Sequence, residues 1–445
     1  MTGIFSDIWL MHQAQSHPGS LRATVYIGIL AGLLPCAWGA ARTPAPKPKE
    51  LTSSIKIWRF NGFANNVAVQ PNGQILVDGE YLLNSGDSSE FLTRLNPDGT
   101  VDSPFTQQVS ALTEDLSGTL GVYDLAVTTD SRILVAWNLQ DDTAFVTGSN
   151  LWRMMPDGSL DPTFSTQGSY GVNNYLLRVK ITPDNRILVG GKISNHNGKE
   201  AGWLFRLMPN GAPDLGFEPR LNFDFDGAVQ AIALARDGWI VAGLDYWLPP
   251  SHTNPNNAQK LLRLGSDGSV DAKFTALVPG SYTRGIFALA VQPDNKIIIG
   301  GADVLARLNA DGTLDTTFGD LSPRLAPAGE SFFTVRSLAL QPDGRIVVAG
   351  DFSAYDGMPT SGILRLEQNG TLDEQFSKNT GSGFLSQGHA QRGVSAVALQ
   401  SDGKILAVGP FDSFNGEARP YVARLNANGT LDSHFPQVAG TGLPE

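Results

Sequence analysis

One spacing constrains this chain more than any other feature. Seven arginines are each followed eight residues later by an aspartate: Arg94 and Asp102, Arg153 and Asp161, Arg206 and Asp214, Arg263 and Asp271, Arg307 and Asp315, Arg365 and Asp373, Arg424 and Asp432. Within each pair lies a turn centred on glycine (Gly99, Gly158, Gly211, Gly268, Gly312, Gly370, Gly429), and these turns recur every 44 to 59 residues. Such regularity describes one supersecondary unit stacked on copies of itself around a shared core. Length alone, at 445 residues, suggests two or three domains. The repeat runs unbroken from about Val67 to Phe435 and predicts one.

Each copy reads as strands. In the sixth, Val335 to Gln341 alternates, Pro342-Asp343-Gly344 turns, and Arg345 to Gly350 is an apolar run of strand length. Ile363 to Leu366 is a third strand, Gln368-Asn369-Gly370 turns again, and Thr371 to Phe376 is a short fourth. Glycine at the end of the turn admits positive φ, and Asp or Asn before it bonds its own backbone. The second strands are apolar at nearly every position, as strands buried on both faces are. An open stack of such sheets would leave two apolar faces bare, and closing a ring covers them. The expected fold is all-β, a seven-bladed β-propeller of four-stranded antiparallel blades. Its repeats fall at about 65–105, 122–164, 176–217, 229–274, 286–318, 335–376 and 394–435. A right-handed β-helix is the alternative, against which the length of the unit counts. Ile55 to Phe60 is expected to join the last blade and close the ring, although that blade already supplies a fourth strand.

Before the repeat, Arg22 precedes an apolar run from Val25 to Leu34 and small residues from Ala37 to Ala41. This is the pattern of an export signal, and the run is short for a membrane span. Residues 1–41 are expected to be a signal peptide, 42–54 a Pro-rich linker, and 55–445 the propeller, secreted or held at the cell surface or in the periplasm. The single cysteine, Cys36, falls in the leader, so the mature domain is expected to have no disulfide, Cys-ligated metal or thiol nucleophile. A net charge of −11 without Lys/Arg clusters argues against nucleic acid. A monomer with no membrane span in the mature chain is expected.

The phrases from Ala290 to Gly301 (A-V-Q-P-D-N-K-I-I-I-G-G) and from Leu305 to Gly319 (L-A-R-L-N-A-D-G-T-L-D-T-T-F-G) resemble the delta-60 repeat family of bacterial proteins. So do Gly350 to Gly357 and Phe411 to Gly416. The resemblance covers all seven copies. It implies a propeller in exported or surface proteins, often beside adhesive modules, and it implies no reaction. The first hairpin is also similar to that of NHL propellers, which bind partners more often than they catalyse. The fifth copy departs from the pattern, with only Ala302 to Val304 between its second and third strands.

A structural role suits the fourteen Arg and Asp residues, since both flank one hairpin and recur in every copy, which one active site would not require. The Asp-Gly turns lack the alternating ligands and distal Glu of a calcium loop. No nucleophile elbow, zinc helix, phosphate loop or dinucleotide fingerprint occurs. No catalytic residue, metal or cofactor is therefore expected. The copies differ most in the loops that lead into first strands and out of second strands, where function concentrates. The candidate ligand-binding residues are Tyr246, Trp247, His252 and Asn254 in the longest loop, with Asn174, Tyr175, Phe225, Tyr282 and Arg284 nearby. Aromatic plates beside amides suit sugar or peptide. The expected function is non-catalytic binding or scaffolding of a glycan or protein partner through this variable-loop face. A polysaccharide-active hydrolase or lyase, with carboxylates at the channel mouth, is the alternative.

Overall fold

The computed structural model describes residues 60–436 except 82–91, 114–118, 141–145, 165–174, 194, 197–198, 201–202, 218–226, 247–259, 275, 277, 279–284, 326–332, 361 and 387–392. The expected signal peptide and linker lie outside the described residues. The chain divides into Met1–Ser54 and Ile55–Glu445, and all described residues belong to the second unit.

That unit is all-β in its main elements. Seven three-stranded antiparallel sheets, one in each copy, follow one another along the chain, each a simple meander with the middle strand second in sequence; a small eighth sheet (Phe384–Leu385, Ser413–Phe414, Glu417–Ala418) and two two-stranded ribbons accompany them. The first consists of Phe60–Val69, Ile75–Tyr81 and Leu92–Leu95. The seventh consists of Ala396–Leu399, Ile405–Val408 and Val422–Leu425. In the fifth, Ile297–Gly301 and Val304–Leu308 are joined by two residues, Ala302 and Asp303. Middle strands such as Ile187–Lys192 and Ile297–Gly301 are buried almost throughout, as their unbroken apolar pattern requires.

Seven apolar clusters lie one between each pair of consecutive sheets. The cluster of Leu76, Phe105, Val122, Val135 and Trp137 joins the first sheet to the second. The cluster of Ala64, Ile75, Val77, Leu406, Val408 and Phe435 joins the seventh back to the first. Burying aliphatic side chains at about 25 cal/mol per Å² makes these seams the principal source of stability.

The Arg–Asp pairs tie the seams. In every copy the Arg Nε donates to Asp Oδ2, at 2.7–2.9 Å. In every copy the Arg Nη1 also donates to a turn carbonyl of the following sheet. Arg307 reaches Gln368 at 2.6 Å, and Arg424 reaches Pro97 of the first sheet at 2.5 Å. A phenylalanine three residues after each Asp lies under the guanidinium, at 4.0 Å for Phe105 and 4.4 Å for Phe318 and Phe435. Glycine is required where the ring meets the next sheet. At Gly99 and Gly370, both with positive φ, an added Cβ would lie 2.7 Å from Phe435 and Phe318.

Two expectations need correction. The fourth strand of each unit is a single bridge, such as Leu95 to Val101 or Leu366 to Leu372, and among the described residues no fourth strand is added to the repeated sheets. The reason is the aspartate itself. Asp102 and Asp373 cap the helices Ser103–Ala111 and Glu374–Thr380 by accepting from Phe105 and Phe376 N–H, which turns the chain away from extended geometry. Secondly, Phe60 pairs with Tyr81 in the first sheet instead of joining the last. Residues 55–59 lie outside the described residues. The Arg424 and Phe435 contacts join the seventh sheet to the first.

Burial would raise the pKa of Asp315, but hydrogen bonds from Lys296, Thr317 and Arg307 outweigh it and hold the carboxyl well below the usual range. Asp315→Ala strands the buried Arg307 and is expected to cost about 3–5 kcal/mol, read from chemical denaturation. A melting point within a degree or two of the wild type would contradict this role.

Candidate functional site

In the first six sheets the first strand departs from regular pairing shortly after it begins. In the second sheet Val122 faces Trp137 and Asp124 faces Ala136, so Tyr123 is an extra residue. Leu177, Gln230, Phe287 and Arg336 are the extra residues of the next four sheets. In the first, both Asn65 and Asn66 fall between the pairs Ala64–Gly79 and Val67–Val77. A bulge of this kind bends the strand and re-aims side chains. It also brings a carbonyl close to the middle strand. At Gly191, Gly301 and Gly350 an added Cβ would sit 1.9–2.1 Å from the carbonyl oxygens of Tyr175, Gly285 and Thr334. That is why these middle strands reach glycine opposite the bulge.

The bulged segments of these six sheets, with Ser395, Ala396 and Val397 of the seventh, line one cavity of about 740 Å³. Aligning the copies on their turns shows how its wall is composed. At one lining position the residues are Asn66, Asp124, Arg178, Ala231, Ala288, Ser337 and Ala396. Two residues further on, the residue is alanine in six copies (Ala68, Ala126, Ala233, Ala290, Ala339, Ala398) and Lys180 in the third. The first three sheets therefore make a polar, charged wall. The fourth, fifth and seventh contribute small residues at the same level.

Asp78 stands behind this wall, on the middle strand of the first sheet, where other copies have Gly190, Gly243, Gly300 or an aliphatic residue. It is fully buried and accepts hydrogen bonds from the Asn66 N–H at 2.9 Å and Asn66 Nδ2 at 2.6 Å. Burial pushes its carboxyl up to about 8, against these hydrogen bonds and with a small further rise from Asp124. Asp124 is braced by the Val179 N–H at 2.8 Å and the Leu125 N–H at 3.0 Å. Enclosure raises its carboxyl above the ordinary value, opposed by Arg178 and Lys180. The same enclosure lowers Arg178, whose Nη1 donates to Leu177 O at 2.6 Å. Across the cavity, Arg336 is already paired with Asp351, at 2.6 Å. Gln230 donates weakly to Asp245 at 3.4 Å, and burial raises Asp245 while lowering nearby Lys260.

Of the ligand-binding residues expected from sequence, Trp247, His252, Asn254, Asn174, Phe225, Tyr282 and Arg284 lie outside the described residues. Tyr246 ends a middle strand, pairing with Gly227, and Tyr175 begins a first strand, pairing with Lys192. Tyr175 does not line the cavity. The cavity residues were missed because a bulge leaves no mark on an alternating pattern. The signals that could have found them were Lys180 in a column of alanines and Asp78 in a column of small residues. Among the described residues no cluster of three His, Cys, Asp or Glu could hold a metal, and no helix is long and apolar enough to cross a membrane.

A carboxyl raised in the folded state stays protonated while its unfolded counterpart ionises. Folding stability is thus undiminished near pH 4 and is lost as pH rises toward 8. Asp78→Asn is expected to match the wild type in stability near pH 4 and to exceed it by a margin that widens from pH 5 to 8. Denaturant melts at four pH values check this. A margin independent of pH would show that Asp78 is ionised in the fold.

Six stretches of the chain match the family model described as "Domain of unknown function (DUF5122) beta-propeller", at residues 70–105, 142–164, 182–217, 292–318, 341–376 and 400–435. No curated protein matches. Among solved structures, the chain is similar to the WD40 β-propeller domain of Doa1, at 17% identity over 70% of this chain and 81% of that one, with a TM-score of 0.39. It is similar to YCF48 from Cyanidioschyzon merolae, at 12% identity over 79% and 96%, with a TM-score of 0.40. A gluconolactonase of Xanthomonas campestris is 14% identical over 66% and 85%, with a TM-score of 0.36. At these identities and scores the likenesses carry neither activity nor ligand over to this chain. The matched stretches fall in six of the seven repeated sheets, so these repeats are similar to those that the DUF5122 β-propeller model describes.

Proposed function

We propose that the seven sheets are the blades of a seven-bladed propeller, and that this propeller is an exported, non-catalytic binding protein. It recognises a macromolecular partner, a glycan or a protein, on the face where the first strands begin. The observation that carries this reading is the contrast between two sets of repeated positions. The Arg–Asp–Phe contacts that hold the blades together recur in all seven copies. The cavity positions Asn66, Asp124, Arg178 and Lys180 break the repeat with polar groups that the packing of the other blades does without. In six sheets the bulges lie near the start of the first strand. Concave sites of several hundred Å³ with a few convergent polar groups are where ligands bind. An export leader and the resemblance to surface-protein repeats favour an envelope or extracellular partner.

One observation favours the enzymatic alternative: Asp78, protonated at neutral pH, and Asp124 influence each other at one wall. A proton-holding carboxyl and a second carboxyl are the minimum for two-carboxylate glycoside hydrolysis.

Both readings meet in one experiment. The full chain is screened by thermal shift against soluble glycans and envelope polymers, and each hit is then incubated and assayed for new reducing ends. Binding at a hundred times Kd adds about 2.7 kcal/mol to stability, a readable rise. The expected result is a shift that Trp247→Ala weakens and no bond cleavage. Time-dependent reducing ends abolished by Asp124→Asn would replace binding with hydrolysis. Absence of any shift, together with no captured protein partner, would remove the binding function.

A further inference from the structure

We propose that the cavity wall formed by the second and third blades is a subsite for a carboxylate, supplied by the terminal uronate of an acidic glycan, with Lys180 and Arg178 as its donors. This rests on the binding function above and names its ligand class.

Charge is the first ground. Lys180 is exposed into the cavity and makes no hydrogen bond or ion pair with a described residue. Arg178 is fixed by carbonyls through Nη1 alone, leaving Nε and Nη2 without a described partner. Both oxygens of Asp124 accept from backbone N–H groups, so that carboxyl braces the wall and neither oxygen forms an ion pair with Arg178 or Lys180. The cation of the opposite wall, Arg336, is neutralised by Asp351. Asp78 carries its proton at neutral pH. The described wall therefore holds an excess of positive charge inside a chain whose net charge is −11.

Geometry is the second ground. Arginine and lysine two residues apart on one strand project to the same side, and a compact anion suits such a pair. Among the other lining groups are amides, hydroxyls and aromatic rings, including Asn66, Gln230, Ser337, Tyr123 and Phe287, beside aliphatic side chains such as Ile232 and Leu289. These groups suit the hydroxyls and apolar face of a sugar ring. A cavity of about 740 Å³ admits one or two sugar rings. The acidic exterior repels a long polyanion, so the subsite takes a chain end, not a stretch of polymer.

Lys180→Ala is a clean variant because six blades carry alanine at that position. The full chain and this variant are titrated calorimetrically with a galacturonate trisaccharide, its neutral methyl ester, and an acidic tripeptide. The wild type is expected to bind the uronate about tenfold more tightly than the ester, as one charge-assisted hydrogen bond gives. Lys180→Ala should erase that difference and leave the ester's affinity unchanged. Raising the salt concentration should narrow it too. Equal affinity of the wild type for acid and ester, or an unchanged preference in Lys180→Ala, overturns the subsite while leaving glycan binding intact. Lys180-dependent binding of the tripeptide alone overturns the glycan assignment. If no glycan or peptide binds either protein, the underlying function fails with it.

Discussion

The structure depends on one guanidinium used three ways, seven times. Each Arg binds its own Asp through Nε, reaches the next sheet's turn through Nη1, and covers a phenylalanine ring, which for Phe105, Phe318, Phe376 and Phe435 touches a glycine of that same turn. The spacing of eight is the length of chain that leaves the third strand, rounds the glycine turn and returns beside the strand's end. The Asp N–H confirms the return by donating to its Arg carbonyl, at 2.9 Å in Asp315 and Asp432. A buried ion pair is weak evidence for stability when it stands alone, because desolvation offsets the attraction. Here the charge is met on several sides at once, and the planar fork makes this possible where lysine could not. The contribution is as much to register as to energy, since each Arg defines which carbonyl of the next blade it meets.

Much of this was legible in the chain. The Arg–Asp spacing, the glycine turns and the three main strands of each copy stand where their residues predict, because each follows from local chemistry. Gly99, Gly158 and Gly211 have the positive φ that their turns require. The fourth strand was misread because Thr371 to Phe376 alternates like a strand while Asp373 caps a helix, and capping prevails when the N–H it satisfies is otherwise buried. The third use of arginine was missed for a different reason. Phe105 or Phe435 looks like ordinary core until the guanidinium above it is seen. The candidate loop residues were chosen for composition alone, and composition says nothing about the channel wall.

The wall illustrates what copies within one chain can reveal. Seven units under the same packing demands act as controls for one another. Where all agree, packing accounts for the residue. Where one departs toward a buried or enclosed polar group, packing does not. Lys180, which lines the cavity, and Asp78, buried behind Asn66, both depart in this way. Arg336 departs too, but Asp351 answers it within the same blade.

Asp78 also shows why the latch and the cavity belong to one account. A carboxyl raised from 3.8 to about 8 opposes folding at neutral pH, by an amount on the order of a few kcal/mol. A domain with a marginal core would not tolerate this. A ring can, because opening any one seam leaves six others and their guanidinium contacts in place. The repeated contacts thus allow a few positions on the inner wall to be set by something other than stability. Those positions, where the fold accepts an unfavourable group, are the ones to which a ligand can give a reason.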